Sequence, residues 1–187
     1  MKASVYIATS LDGFIARENG SLDWLPQPDT DIGSTDSDAA DAGGDMGFQA
    51  FMASIDAMVM GRNTFETVLS FGQWPYGDTP VIVLSRRGAE IPDHLTTTVE
   101  TSSKSLHELV EHLSARGLEH LYVDGGSTIQ SFLNESLITQ FIITRIPVLI
   151  GSGIPLFGPL EQDVHLNHVE TISMPQGMVQ STYEVIG

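Results

Sequence analysis

Short apolar segments alternate along this chain with stretches in which apolar residues recur every three or four positions. Brief runs rich in Val, Ile and Leu are typical of strands that are buried on both faces of a sheet. The pattern predicts seven strands, at residues 4–9, 57–60, 81–85, 121–124, 141–146, 165–171 and 180–186.

Four stretches between these strands have helical spacing. The first has Phe48, Phe51, Met52 and Ile55 at positions i, i+3, i+4 and i+7, which would form one apolar stripe on a helix. The other stripes are Phe65, Val68 and Leu69, then Leu106, Leu109, Val110 and Leu113, and finally Ile129, Phe132 and Leu133. Strand and helix therefore alternate, and two strands follow. This order predicts an α/β fold with a mostly parallel central sheet, whose last strands return antiparallel at one edge.

The net charge narrows the classes of partner. The 187 residues contain 8 Lys and Arg against 24 Asp and Glu, which gives a net charge of −16 at pH 7. A field of this sign repels polyanions, so nucleic acid and anionic membranes are excluded as partners. The length suits a single domain over residues 1–187. We expect a soluble, cytoplasmic protein, because no segment has the pattern of a membrane span or of a signal peptide.

The acidic residues are concentrated in one segment. No Lys or Arg lies between Arg17 and Arg62, and most of the acids in that interval belong to PQPDTDIGSTDSDAADAGGD. Its Pro, Gly, Ser and Thr predict a solvated loop insert at about residues 26–44. The calcium-loop pattern, with Gly at its sixth position and Glu at its twelfth, is absent in either register, and the chain has no cysteine. We therefore expect no metal, and divalent-ion binding is the lesser alternative.

Three predicted strands are followed by sequences suited to phosphate binding. Ligands of α/β sheets bind beyond the carboxyl ends of parallel strands. Glycines let a ligand approach the backbone, and N–H groups of a first helical turn, hydroxyls and guanidinium groups bind phosphate oxygens. The candidates are Gly61, Arg62, Asn63 and Thr64; Ser85, Arg86 and Arg87; and Gly125, Gly126, Ser127 and Thr128.

These three junctions together indicate a dinucleotide site. Three of the eight cations stand at two strand ends of a chain whose overall charge repels phosphate, and the third end offers a glycine pair. Each junction alone is a weak signal, since short motifs recur by chance. Arg86 and Arg87 suit the 2′-phosphate of a dinucleotide, which favours NADPH over NADH as the cofactor.

The segments MGRNTFETV, PVIVLSRR, YVDGGSTIQSFL and FIITRIPVLIGSGIPLFG resemble, in this order, the dihydrofolate reductase superfamily. The most similar branch is the reductase domain of the bifunctional riboflavin-biosynthesis deaminase/reductase. This resemblance implies a three-layer fold with helices on both faces of the sheet. It also implies an enzyme that uses NADPH to transfer hydride to a small heterocyclic substrate, as the 5-amino-6-(5-phosphoribosylamino)uracil reductase of that branch does.

The opening SLDGFIARENGSLDWLP resembles the mobile loop of dihydrofolate reductases. By this resemblance Ala8, Ile15 and Gly20 line the nicotinamide, together with Thr9 and Asn19, and Trp24 stands among the catalytic residues. Thr144, in FIITRIP, matches the threonine that supports the catalytic carboxylate of the family.

Asp45 is the position at which the resemblance places that catalytic carboxylate. It precedes the predicted helix that contains Phe48, where the helix dipole favours a carboxylate. An ordinary N-cap aspartate is the alternative interpretation. Beside a nicotinamide, a carboxylate could help to deliver the proton that accompanies hydride.

Two positions depart from true dihydrofolate reductases. Thr79 stands where an arginine grips the glutamate tail of folate, and Gln49 stands where an aromatic residue packs on the pterin. Because both residues differ, folate binding is disfavoured, and a true dihydrofolate reductase is only an alternative interpretation. A sensor protein that binds NADPH but catalyses no reaction is a second alternative. The acidic insert also disfavours a phosphorylated substrate unless a cation reaches it.

One further segment suggests a partner. The run VLIGSGIPLF after Pro147 is more apolar than a loop facing solvent should be. We expect it to pack against a second subunit in a homodimer, as the resemblance also implies.

Overall fold

A computed structural model describes residues 1–26 and 47–186 of the chain. The predicted acidic insert lies almost entirely outside these ranges. Its conformation and the alternative of divalent-ion binding by it are therefore not described. The strands are β1 Lys2–Ser10, β2 Phe14–Ala16, β3 Ala57–Gly61, β4 Val81–Leu84, β5 Val99–Ser102, β6 His120–Asp124, β7 Gln140–Ile146, β8 Ile154–Pro155, β9 Leu166–Ser173 and β10 Val179–Val185. The helices are α1 Phe48–Met52, α2 Arg62–Ser70, α3 Leu106–Ala115 and α4 Gly126–Asn134.

Eight strands form one sheet, in the order β5-β4-β3-β6-β1-β7-β10-β9. The six from β5 to β7 run parallel to one another, and β10 pairs antiparallel with both β7 and β9. The α/β fold with a mostly parallel sheet and antiparallel strands at one edge is thus confirmed. The parallel arrangement places the carboxyl ends of β1, β3, β4, β5 and β6 along one edge of the sheet.

Helices cover both faces of this sheet, and alternate side chains of each strand belong to different cores. In β3, Val59 packs with residues of α3 and α4 on one face, whereas Met58 and Met60 pack with α1 and α2 on the other. All three side chains are fully buried. Each such side chain stabilises the fold by about 1.5–3 kcal/mol, so the two apolar layers fix the register of the strands and hence the position of their ends.

A small second sheet ties two loops together beside the carboxyl end of β1. Strand β2 pairs with β8, and the Leu156 N–H donates to the Gly13 carbonyl at 3.1 Å. The Asp12 carboxylate accepts hydrogen bonds from the Ser10 hydroxyl at 2.6 Å and from the Gly151 N–H at 2.8 Å. These donors lower the pKa of Asp12, so the carboxylate stays ionised and holds the two loops together.

The sequence analysis missed three short strands, β2, β5 and β8, and one helix prediction was wrong. Strand β5 was not predicted, because Glu100 and Thr101 are exposed and leave no apolar run in this strand. The stripe that ends at Ile55 predicts a longer helix than α1, which ends at Met52. After that helix the Ser54 hydroxyl donates to the Phe51 carbonyl at 2.7 Å, and Ile55 packs against the core from a loop. The hydroxyl thus competes with helical hydrogen bonding.

The segment expected at a subunit contact presents apolar side chains to solvent. Leu149, Ile154 and Phe157 are 68%, 38% and 43% exposed. Strand β9 is exposed along its whole length as well. The homodimer itself stays a prediction. None of the helices in the described ranges is long and apolar enough to cross a membrane.

Light scattering tests the homodimer. We expect a mass of twice the 20.2 kDa chain, and we expect Leu149→Asp to give the single-chain mass, because a charge would be buried in an apolar contact. Ile172→Asp, on strand β9, is the matched control and should leave the dimer intact. A monomer mass for the unmodified protein would contradict the prediction, and dissociation by Ile172→Asp alone would move the contact to β9.

Candidate functional site

A cleft runs along the edge where the parallel strands have their carboxyl ends. It consists of two cavities of about 650 Å³ each. Asn63, Thr64 and Ser127 line both cavities, so the two spaces adjoin at the starts of helices α2 and α4. The cavities differ in chemistry, and we call them the polar cavity and the apolar cavity.

The polar cavity has cations and hydroxyls on its walls. Arg62, Arg86 and Lys104 line it, which are three of the eight Lys and Arg residues of the chain. Arg62 also forms an exposed ion pair with Glu66, at 3.2 Å. Its remaining lining residues are Gly61, Asn63, Thr64, Leu84, Ser85, Ser102, Ser103, Ser105, Leu106, Ser127, Thr128, Ser131 and Glu135. Cations and hydroxyls in one recess favour an anion with several oxygens.

Two helices begin at the wall between the cavities, and glycines let them approach closely. Gly125 precedes α4 with φ of 89°, and a Cβ there would overlap the Thr64 hydroxyl of α2. A Cβ on Gly61, which precedes α2, would lie 3.0 Å from the Thr128 hydroxyl of α4. Among the described residues, no side chain caps either helix. The first N–H groups of both helices are therefore available to an anion.

The turn after β4 separates two neighbouring arginines. The Ser85 hydroxyl donates to the Gly88 carbonyl at 2.6 Å and accepts from the Arg87 N–H at 3.3 Å. This turn places Arg86 on the wall of the polar cavity. Arg87 is exposed and does not line either cavity. The sequence suggests the same role for both arginines, but in the structure only Arg86 lines one of these cavities.

The apolar cavity lies between the loop after β1 and helix α2. Gly126 comes close to this loop, since a Cβ there would lie 2.9 Å from Ile15 Cδ1. The cavity is lined by Ile7, Ala8, Ile15, Ala16, Asn19, Gly20, Leu22, Leu25, Asn63, Thr64, Thr67, Val68, Phe71, Tyr76, Asp124, Gly125, Gly126, Ser127 and Ile154. The structure brings together Ala8, Ile15 and Gly20, which the resemblance assigned to the nicotinamide site. Thr9, assigned to the same site, is buried and does not line the cavity.

Asp124 is the acidic residue of the apolar cavity. It ends β6, and its Oδ1 accepts a hydrogen bond from the Gly125 N–H at 2.8 Å. Burial among apolar groups raises the pKa of Asp124 to about 6, against the smaller opposing effect of that hydrogen bond. Tyr76 lies near this carboxyl, and burial together with the Asp124 charge raises the pKa of the phenol. Asp124 can therefore hold or release a proton near neutral pH.

Of the three residues expected to be catalytic, the structure describes two, Thr144 and Trp24. Thr144 is buried outside both cavities, where its Oγ1 accepts a hydrogen bond from Gln180 Nε2 at 2.9 Å. Trp24 is half-buried, and its Nε1 has no hydrogen-bond partner among the described residues. Asp45 lies outside the described ranges. The N-cap of α1 is Gly47, so the interpretation of Asp45 as that cap was wrong.

Several lining residues were missed by the sequence predictions. Lys104 and its flanking serines follow β5, and they were overlooked because that strand was overlooked. Tyr76 and Phe71 reach the apolar cavity from the end of α2 and the loop beyond it, which no strand junction marks. Asp124 directly precedes the Gly125–Thr128 motif and was not proposed as a site residue. Its position at the end of a buried strand was the available signal.

The fold and the cleft define an α/β protein of the dihydrofolate reductase-like class. Residues 2–180 match the model of the RibD C-terminal domain, and this chain belongs to that family. The branch that the motifs resemble is thereby confirmed. The family indicates an enzyme of the reductase type.

Three proteins illustrate what the chain is similar to. A protein of Shewanella sp. PV-4, provisionally named for riboflavin biosynthesis, is 41% identical, with a TM-score of 0.86 over 100% of both chains. The uncharacterized protein YwjB of Bacillus subtilis strain 168 is 33% identical over 167 residues, which are 88% of this chain and 87% of that protein. Dihydrofolate reductase of Enterococcus faecalis, solved with NADP(H) and RAB-propyl, is 16% identical, with a TM-score of 0.64 over 100% of this chain and 97% of that one. This last similarity concerns the fold alone and confirms the three-layer class.

Proposed function

We propose that this protein is a reductase that uses NADPH to transfer hydride to a small heterocyclic substrate. The observation that supports the proposal is the division of the cleft. Its polar half has three cations and two helix N-termini, and its adjoining half is mostly apolar. A dinucleotide has the same division, because its phosphates are anionic and its nicotinamide ring is flat and weakly polar.

The residues of the cleft fit each part of NADPH. Arg62, together with the helix starts at Gly61 and Gly125, suits the pyrophosphate, because the glycines let the two helix starts approach each other and uncapped N–H groups are available there. Arg86 and Lys104 stand at the far side of the polar cavity and suit the 2′-phosphate. In the apolar cavity, Ala8, Ile15 and Gly20 would contact the nicotinamide, as the family resemblance implies.

NADPH, when bound, supplies a hydride, so reduction of a C=N or C=O bond also requires one proton from the protein or from water. Asp124 can hold such a proton near neutral pH, since the pKa of its carboxyl is raised to about 6. Asp45 remains our proposed second carboxylate, with Thr144 as its support. The apolar walls formed by residues such as Val68 and Leu22 exclude water from the reacting bond.

Isothermal titration of the Arg86→Ala protein tests the cofactor proposal. We expect NADPH to bind the unmodified protein more tightly than NADH does, because Arg86 forms a charge-assisted hydrogen bond to the extra phosphate. Arg86→Ala should weaken NADPH binding by roughly tenfold to a hundredfold and should hardly change NADH binding. Arg87→Ala removes the same charge from the neighbouring position and is the matched control, which should change neither affinity much.

Equal affinity for the two cofactors in the unmodified protein would contradict the preference for NADPH. Equal effects of the two arginine substitutions would show that only the overall charge of the turn matters. Binding of NADPH without its oxidation in the presence of any heterocycle would favour the sensor alternative over a reductase.

A further inference from the structure

The apolar cavity contains no cation within the part of the chain that the structure describes. Its lining residues include one ionisable acid, Asp124, and one phenol, Tyr76, among aliphatic, aromatic, hydroxyl and amide groups. No Lys, Arg or His occurs in residues 27–46, so that segment has no cation to add. If the phosphates of the cofactor occupy the polar cavity and its nicotinamide part of the apolar cavity, a substrate in the remaining space meets a net negative wall.

Arg17, a cation adjacent in sequence to this cavity, is already paired. Arg17 follows Ala16, a lining residue, and its Nε and Nη2 donate to the two carboxylate oxygens of Asp23 at 2.6 and 3.0 Å. A phosphate group would have to compete with this bidentate carboxylate for the positive charge. Three of the other cations, Arg62, Arg86 and Lys104, line the polar cavity. The remaining ones, which are Lys2, Arg87, Arg116 and Arg145, line neither cavity, and the same is true of the six histidines.

These observations bear on the substrate, because a phosphate group is recognised through cations or exposed helix N-termini. The helix starts in this cleft face the proposed pyrophosphate site, and the protein as a whole has a charge of −16. A phosphorylated substrate would therefore lose the hydration of its phosphate without gaining an opposite charge. The Asp124 carboxylate would repel it further.

We propose that the substrate of this reductase is a small heterocycle without a phosphate group, whose amino groups donate hydrogen bonds to the Asp124 carboxylate. This inference rests on the proposed function, since it assigns the polar cavity to NADPH. The branch that this chain resembles acts on a phosphoribosylamino-uracil, so the inference separates the chain from that activity. Leu22, Leu25, Val68 and Phe71 would contact the faces of the ring.

Titration of probes into the NADPH-saturated protein tests the inference. Cytidine and cytidine 5′-monophosphate differ only in the phosphate, and we expect cytidine to bind at least about tenfold more tightly. 2,4-Diaminopyrimidine and uracil share a pyrimidine ring, but only 2,4-diaminopyrimidine has amino groups that can donate to Asp124. We therefore expect it to bind roughly tenfold to a hundredfold more tightly than uracil. Asp124→Asn should abolish this second preference, whereas Asp78→Asn, at an exposed position outside both cavities, should retain it.

A further variant addresses the phosphate directly. Asp23→Ala frees the Arg17 guanidinium, and we expect it to narrow the preference for cytidine over its monophosphate. Tighter binding of the monophosphate to the unmodified protein, or binding of neither unphosphorylated probe, would overturn the inference. Persistence of the amino preference in Asp124→Asn would overturn the role of that carboxylate. Failure of the proposed function is distinguishable, because it would appear first as a lack of NADPH binding in the same titrations.

Discussion

Gly125→Ala is expected to lower the melting temperature by roughly 6–12 °C and to weaken NADPH binding by about tenfold or more. The residue has φ of 89°, and a Cβ would overlap the Thr64 hydroxyl of the neighbouring helix. Strain of the backbone and overpacking together cost about 3 kcal/mol. The substitution also moves apart two helix starts whose N–H groups are proposed to bind pyrophosphate. Calorimetry of the free protein and titration with NADPH measure the two effects.

Gly117→Ala is the matched control for this prediction. Gly117 has φ of 84°, and a Cβ there would have no atom within 4 Å, so only the backbone strain is repeated. It lies in the turn before β6, at the opposite edge of the sheet from the cleft. We expect a smaller loss of stability and unchanged NADPH affinity. Thr64→Ala combined with Gly125→Ala should recover part of the stability, and wild-type NADPH affinity of Gly125→Ala alone would contradict our placement of the pyrophosphate.

Asp124→Asn is expected to stabilise the ligand-free protein above pH 6 while impairing its activity. Burial raises the pKa of this carboxyl to about 6 in the folded state, above the value of about 3.9 for an aspartate in an unfolded chain. Between these values the folded protein binds more protons than the unfolded chain, so the free energy of unfolding falls as pH rises. Asparagine does not ionise and avoids this cost, which is at most about 3 kcal/mol for a side chain that lines an open cavity.

Thermal melting of both proteins at pH 4, 6 and 8 measures this effect. We expect nearly equal melting temperatures at pH 4 and an advantage of about 5 °C or more for Asp124→Asn at pH 8. Tyr76 and Tyr122, the titratable neighbours that Asp124 influences, stay neutral over this range because burial raises the pKa of each phenol. Asp78→Asn makes the same replacement at an exposed position outside both cavities, and this matched control should not be stabilised. A lower melting temperature of Asp124→Asn at pH 8 would show that the carboxylate makes a stabilising contact.

The sequence was informative wherever a strand is apolar on both faces. Ala57, Met58, Val59 and Met60 of β3 are all fully buried, so the apolar composition of such a segment identifies it as a strand without any knowledge of its neighbours. Strand β5 lies at the edge of the sheet, where Glu100 faces solvent, and its pairing with β4 is visible only in three dimensions. The local pattern therefore predicts the buried interior strands of the sheet but not the edge strand β5.

The same limit applies to the cleft. Gly61, Thr64 and Gly125 could be identified because helix starts after strands have a local signature. The difference between Arg86 and Arg87 depends on how the Ser85 side chain shapes one turn, which the sequence does not specify. Residues such as Phe71 line the apolar cavity from a distant part of the fold, so only the tertiary arrangement reveals them.

The central position of β1 determines the order in which this chain can fold. Strand β1 pairs with β6 and β7, so Ala3 lies opposite Leu121 and Val5 lies opposite Phe141. More than a hundred residues must therefore be synthesised before the first strand gains either partner, and loop closure over that distance slows folding. Until then its apolar side chains are exposed on the nascent chain. We therefore expect a ribosome-bound chain that ends before β6 to expose this apolar strand and to be prone to aggregation.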